Sequence, residues 1–94
     1  MNSLNSVLIE GSISDVNRVA ELVIFTVTAY REGRPPLMVS CAAAGRLGEY
    51  VAGRPPPCEA RIVGRLDREG PNFGLRVYAE HVEFKPGQKR PKLD

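Results

Sequence analysis

Three consecutive prolines, Pro55, Pro56 and Pro57, divide this chain at a point that no helix can cross. Each lacks a backbone N–H and fixes φ at about −65°, so a helix arriving from upstream must end before them and the chain must leave them extended. The flanking residues agree. Upstream, Leu47, Tyr50 and Val51 stand at i, i+3 and i+4 and share one face of a two-turn helix, with Gly53 as its C-terminal stop. Downstream, Cys58, Ala60, Ile62, Gly64 and Leu66 alternate with Glu59, Arg61, Val63 and Arg65. That period of two is a strand with one inward face and one outward face carrying two arginines.

The rest of the chain reads as strands and turns. Residues 5–13 alternate Val7, Ile9, Gly11 and Ile13 against Leu8, Glu10 and Ser12, with Gly11 marking a bulge or bend. Residues 14–18 form a polar connection. Residues 21–30 are dense in β-branched and aromatic side chains, with Val23, Phe25, Val27 and Ala29 on one face. Residues 31–36 are a hairpin loop, with Gly33 at the positive-φ position and Pro35 and Pro36 stiffening its exit. A third strand covers residues 37–43 and precedes the helix. The fourth covers 58–67, a second short loop 68–72, and the last strand 73–84. In that last strand Leu75, Val77 and Ala79 share one parity while Val82 and Phe84 share the other, which predicts a bulge near Glu80 and His81.

Five strands with one short helix between the third and fourth predict an all-β OB-fold, a five-stranded Greek-key barrel, rather than an SH3-like or immunoglobulin-like sandwich. Residues 1–84 are expected to form this single domain, and residues 85–94 (KPGQKRPKLD) a flexible basic tail. A chain of 94 residues buries only about 60–65% of the surface of its unfolded form, so a dimer or tetramer is the expected supplement to its small aliphatic core. No apolar run is long enough for a signal peptide or membrane span, which leads us to expect a cytoplasmic protein.

Chemistry is poorly provided for. His81 is the sole histidine, so no histidine metal cluster or paired acid–base is available, and Cys41 and Cys58 form no Cys-x-x-Cys pair. Both cysteines fall at inward positions and are expected to be buried reduced thiols. No Gly-x-Ser-x-Gly elbow and no glycine-rich phosphate loop occurs. The expectation is a non-enzyme without a cofactor.

Charge is more informative. Residues 1–30 carry one base against three acids, whereas residues 31–94 carry twelve bases against eight acids. Most of these bases are arginines, which pair bidentately with phosphate and stack on planar rings. Arg31, Arg34 and Arg68 lie on hairpin tips, Arg61 and Arg65 project from one face of the fourth strand, and Arg76 extends the strip. Arg61 and Arg65 are expected to match successive phosphates, or else to form a solvated stripe with Glu59 and Asp67. Tyr30 and Phe73 sit beside the two loops, either stacking on bases or capping the barrel edge. Tyr78 is equally suited to base contact and to a subunit interface, and Phe25 and Phe84 belong to the core.

Four motifs in order resemble the bacterial single-stranded DNA-binding protein (SSB) family: Asn5-Ser-Val7-Leu-Ile-Glu-Gly11, Gly45-Arg-Leu-Gly-Glu49, Ile62-Val-Gly64-Arg65-Leu66 and Ala79-Glu-His-Val82-Glu-Phe84. The resemblance implies an oligomeric OB-fold that binds single-stranded DNA in replication, recombination or repair. It is incomplete. Tryptophan is absent, Met38 and Ala44 stand where the family places aromatics, both long hairpins are shortened, and the chain ends in bases rather than an acidic tip. These losses are similar to PriB, a dimeric, tail-less relative, and bring replication or primosome proteins into view as partners. The alternative is an OB-fold assembly module without significant nucleic-acid binding.

Overall fold

The computed structural model describes residues 6–68 and 75–85. Its elements are β1 (Val7–Val19), β2 (Leu22–Arg31), β3 (Arg34–Ala44), α1 (Gly45–Ala52), β4 (Cys58–Arg68) and β5 (Leu75–Phe84). The strands close into a barrel in the order β1-β2-β3-β5-β4. Every neighbouring pair is antiparallel except β3 and β5, which run parallel through Cys41 beside Val77 and Ala42 beside Tyr78. A closed five-stranded barrel with its helix between β3 and β4 is an OB-fold, as the pattern predicts. The expected tail beyond Lys85 lies outside the described residues.

Closure depends on β1, which pairs with β4 through residues 7–13 and with β2 through residues 12–19. To serve both neighbours it must curl sharply. Gly11 lies at the changeover with its β4 pairing unbroken, so it marks no bulge. Instead it is a close approach: a Cβ there would lie 2.2 Å from the Thr28 carbonyl oxygen. The bulge of β1 sits further on, where Asp15 and Val16 together oppose Phe25. Asp15 has φ +52°, a left-handed conformation that Asp tolerates better than most residues. Residues 14–18 are therefore strand and not a connection. Their turn-forming composition reflects the bulge, and the actual turn is the short link from Val19 to Leu22.

The β2–β3 hairpin is tighter than expected. Arg31 pairs directly with Arg34 around Glu32 and Gly33, whose φ is +73°. Pro35 and Pro36 lie inside β3, where together they oppose Tyr30 in a second bulge. A bulge suits residues that have no N–H to give to a ladder. The β5 bulge falls where parity predicts it: Val63 opposes His81 and Gly64 opposes Ala79, leaving Glu80 as the extra residue. Val77 and Val82 thereby both point inward.

The core collects the inward faces of all five strands, with Ile13, Phe25, Val27, Cys41, Ile62 and Val77 essentially inaccessible. Helix α1 plugs one end with Val51 and half-buried Leu47. Tyr50 is half-exposed but tilts against the Phe84 ring at 5.1 Å, and the Arg54 guanidinium carbon lies 4.4 Å from the centre of the same ring. Gly53 caps α1 at φ −78°, a right-handed conformation, so the stop is enforced by the prolines rather than by a left-handed glycine. Cys41 is buried and Cys58 half-buried, both as free thiols. Among the described residues no helix is long and apolar enough to cross a membrane.

Two predictions follow from these contacts. Gly11→Ala and Gly64→Ala each force a methyl group against a backbone carbonyl, at 2.2 Å and 2.3 Å respectively. Each should cost about 1–3 kcal/mol in urea unfolding, whereas Gly53→Ala should have a much smaller effect, since its φ suits alanine and the nearest atom to a Cβ there is the Glu49 carbonyl oxygen at 3.3 Å. Burial pushes the Cys41 thiol up to about 12. Cys41 should resist alkylation until the chain unfolds, while Cys58 reacts in the native state. Because the unfolded thiol ionises earlier than the folded one, the stability that Cys41 confers is complete below the ordinary thiol range and declines as pH rises towards about 12.

Candidate nucleic-acid interface

The outward faces of β2, β3, β5 and β4 form one continuous surface. Along β2, Thr26, Thr28 and Tyr30 alternate with the core positions Phe25 and Val27 and so point outward. On β3, Ser40 opposes Thr26 and Met38 opposes Thr28. The seam between β3 and β5 is crossed by a side-chain contact, Arg76 Nε donating to Ser40 Oγ at 3.0 Å. On β5, Tyr78 stands beside Ala42 on one side and opposite Arg65 of β4 on the other. Four strands at about 4.8 Å spacing make this band roughly 14 Å wide.

Its exposed apolar side chains are Tyr30, 73% accessible, and Met38, 66% accessible. Both lie near the β2–β3 hairpin, whose tip carries Arg31 and the exposed Arg34. Arg31 donates from Nε and Nη2 to the Pro35 carbonyl at 3.3 and 2.9 Å, which fixes its guanidinium against the hairpin. Arg65 Nε lies 3.7 Å from Glu80 Oε2, an ion pair without a hydrogen bond. Arg68 ends β4 opposite Leu75, and Phe73 lies outside the described residues. The structure thus brings Tyr30, Arg65 and Arg76 to one surface with Tyr78 and Met38, and places Arg31 and Arg34 on the hairpin tip beside it, with the opposite strand parity to Tyr30.

Arg61 stands apart. It is four positions from Arg65 along β4, about 13 Å at 3.3 Å per residue, so the two do not match successive phosphates. Its partners are also not those expected. Arg61 Nε donates to Glu10 Oε2 at 2.6 Å, and its Nη1 lies 3.9 Å from Glu83. Lys85 Nζ lies 3.8 Å from the other Glu10 oxygen. The Arg61 hydrogen bond, then the charges of Lys85 and Arg61, hold the Glu10 carboxyl below the usual carboxylate range.

A separate cleft of about 330 Å3 lies between the β1–β2 turn and α1, where Arg18 is paired with Glu49 at 2.6 Å. No group of three or more His, Cys, Asp or Glu side chains among the described residues is arranged to hold a metal ion.

Sequence reasoning missed Thr26, Thr28 and Ser40 as members of this surface. The signal was present in strand parity, which places all three opposite to the core positions, but it identifies a surface only when the β2–β3 register is known.

No protein-family model matches the sequence, and no curated protein matches it. Solved structures do. The chain is similar to the N-terminal domain of PriB protein from Thermoanaerobacter tencongensis, whose structure is dimeric, with TM-score 0.72, 17% identity, and coverage of 88% of this chain and 98% of that one. It is similar to SSBb, the second single-stranded DNA-binding protein of Mycobacterium smegmatis, with TM-score 0.71, 19% identity, and coverage of 96% and 97%. It is also similar to the single-stranded DNA-binding protein of Thermus aquaticus, with TM-score 0.74 and 18% identity, covering 97% of this chain but 44% of that one. At these identities the likeness establishes the OB-fold, and what the fold does here rests on its surface.

Proposed function

We propose that this protein is a non-enzymatic, homo-oligomeric single-stranded DNA-binding protein of the SSB or PriB type, serving replication, recombination or repair. The observation that carries the reading is the continuous outward band from Tyr30 to Arg65, joined across the barrel seam by the Arg76–Ser40 contact. Exposed rings on a sheet face offer stacking only to bases that are not already stacked in a duplex, while the arginines around them neutralise phosphates. Arg31, Arg34, Arg65 and Arg76 are assigned to phosphate and Tyr30 to base stacking. The face of the second and third strands is the one by which OB-folds engage oligonucleotides. The likeness to the PriB and single-stranded DNA-binding protein structures supports the same reading.

Oligomerisation has its own support. Residues 7–11 of β1 pair with β4 on one edge, while pairing with β2 begins only at Ser12. Among the described residues no strand pairs with the other edge of Val7–Glu10, and Leu8 beside it is 63% accessible. An open edge flanked by an exposed leucine suits pairing with a second copy.

Two measurements test this reading. Labelled oligo-dT should bind in preference to duplex DNA and weaken steeply between two salt concentrations as counterions are released. Tyr30→Ala should lose about 1–3 kcal/mol of binding at any salt, whereas Arg65→Ala and Arg76→Ala should each reduce the salt slope by about 0.7. Absence of binding at low salt would leave an OB-fold assembly module as the answer. In sedimentation, Leu8→Glu should shift the oligomer towards monomer, and an unchanged oligomer would remove the β1 edge from the interface.

A further inference from the structure

We propose that Glu10 is the residue that ends the phosphate track, by holding Arg61 and Lys85 out of it. The proposal rests on the single-strand reading above. Arg61 is the next cation along the outward face of β4 after Arg65, so a strand leaving the band along β4 and β5 would meet it. What it would meet is a charge-balanced cluster. Glu10 takes the Arg61 Nε hydrogen bond on one carboxylate oxygen and faces Lys85 at 3.8 Å with the other, while Glu83 lies on the far side of Arg61 at 3.9 Å. Two carboxylates against two cations leave no net charge for a phosphate to neutralise, and hence no counterions to release. A phosphate that took Arg61 would also have to sit beside Glu10 and Glu83.

The pairing is built by the fold. Glu10 and Arg61 are direct partners in the β1–β4 register, and Arg61 and Glu83 are direct partners in the β4–β5 register, so the three side chains form one cross-strand row on the outside of the barrel. Opposite charges placed directly across a sheet hold one another in position. Because Glu10 is kept below the ordinary carboxylate range, it remains ionised at neutral and mildly acidic pH. Glu10 is therefore a negative determinant: it confines the strand to the band between Tyr30 and Arg65, although a cationic side chain lies further along the same strand.

The test uses the full chain and labelled dT oligomers of about 15 nucleotides, within the span that one OB-fold can cover, with the slope of log affinity against log salt as the readout. Glu10→Gln leaves one carboxylate, Glu83, against two cations and should steepen the slope by about 0.7. Glu21→Gln, which changes net charge equally at the remote β1–β2 turn, should leave the slope at the wild-type value. Arg61→Ala alone should leave the wild-type slope unchanged, and combined with Glu10→Gln it should remove about 0.7 of the gain. The proposal is overturned if Glu10→Gln behaves as Glu21→Gln does, or if Arg61→Ala flattens the wild-type slope as Arg65→Ala does. A wild-type chain that binds no dT overturns the single-strand reading itself, and a result confined to the Glu10 variants leaves that reading standing.

Discussion

A five-stranded barrel of ten- to thirteen-residue strands has little circumference, and it closes only where backbones approach more nearly than side chains normally permit. Two such approaches hold this one shut. Gly11 lets β1 lie against the Thr28 carbonyl as it passes from β4 to β2, and Gly64 lets β4 lie against the Tyr78 carbonyl beside the Glu80 bulge. The other features of the fold adapt to that curvature. Bulges at Asp15 and Glu80 bend their strands, and inward parity changes at Glu80 so that both halves of β5 reach the core. Helix α1 then fills the end that the narrowed barrel leaves open.

Much of this was legible in the sequence because strand parity and proline chemistry are local. Val23, Phe25 and Val27 declare a buried face by alternation alone, the parity change between Ala79 and Val82 declares a bulge, and the three prolines declare where α1 must stop. Residues 14–18 misled because Ser14, Asp15 and Asn17 are turn formers wherever they occur, and only pairing with β2 makes them a bulged strand. Pro35 and Pro36 misled similarly: they resemble a loop exit but occupy a bulge in β3. In each case tertiary pairing decided between two uses of the same residue chemistry.

The candidate site was legible in its residue types and not in its grouping. Tyr30, Arg65 and Arg76 are recognisable as one aromatic ring and two cations, yet nothing local shows that they share a surface. Arg61 has the same parity and chemistry as Arg65, and what sets it apart is Glu10, 51 positions earlier in the chain. Cross-strand partners are fixed by register, and register is a property of the closed barrel. The outcome is a molecule of modest net charge with two distinct outer surfaces, one presenting Arg65 and Arg76 with Tyr30 and strand hydroxyls, the other built around the Arg61–Glu10 hydrogen bond.

The β3–β5 seam is joined by a short parallel pairing at two adjacent positions, whereas the other strand pairs run for several residues. The Arg76–Ser40 contact spans the same seam from outside. A polyanion lying over β2, β3 and β5 would grip side chains on both banks of that joint and act as a clamp across it. Occupancy and barrel integrity would then be thermodynamically linked, since whatever binds only the closed ring raises the free energy of opening it. The outer surface of this small barrel would in that way supply from its ligand some of the cohesion that a larger core supplies from within.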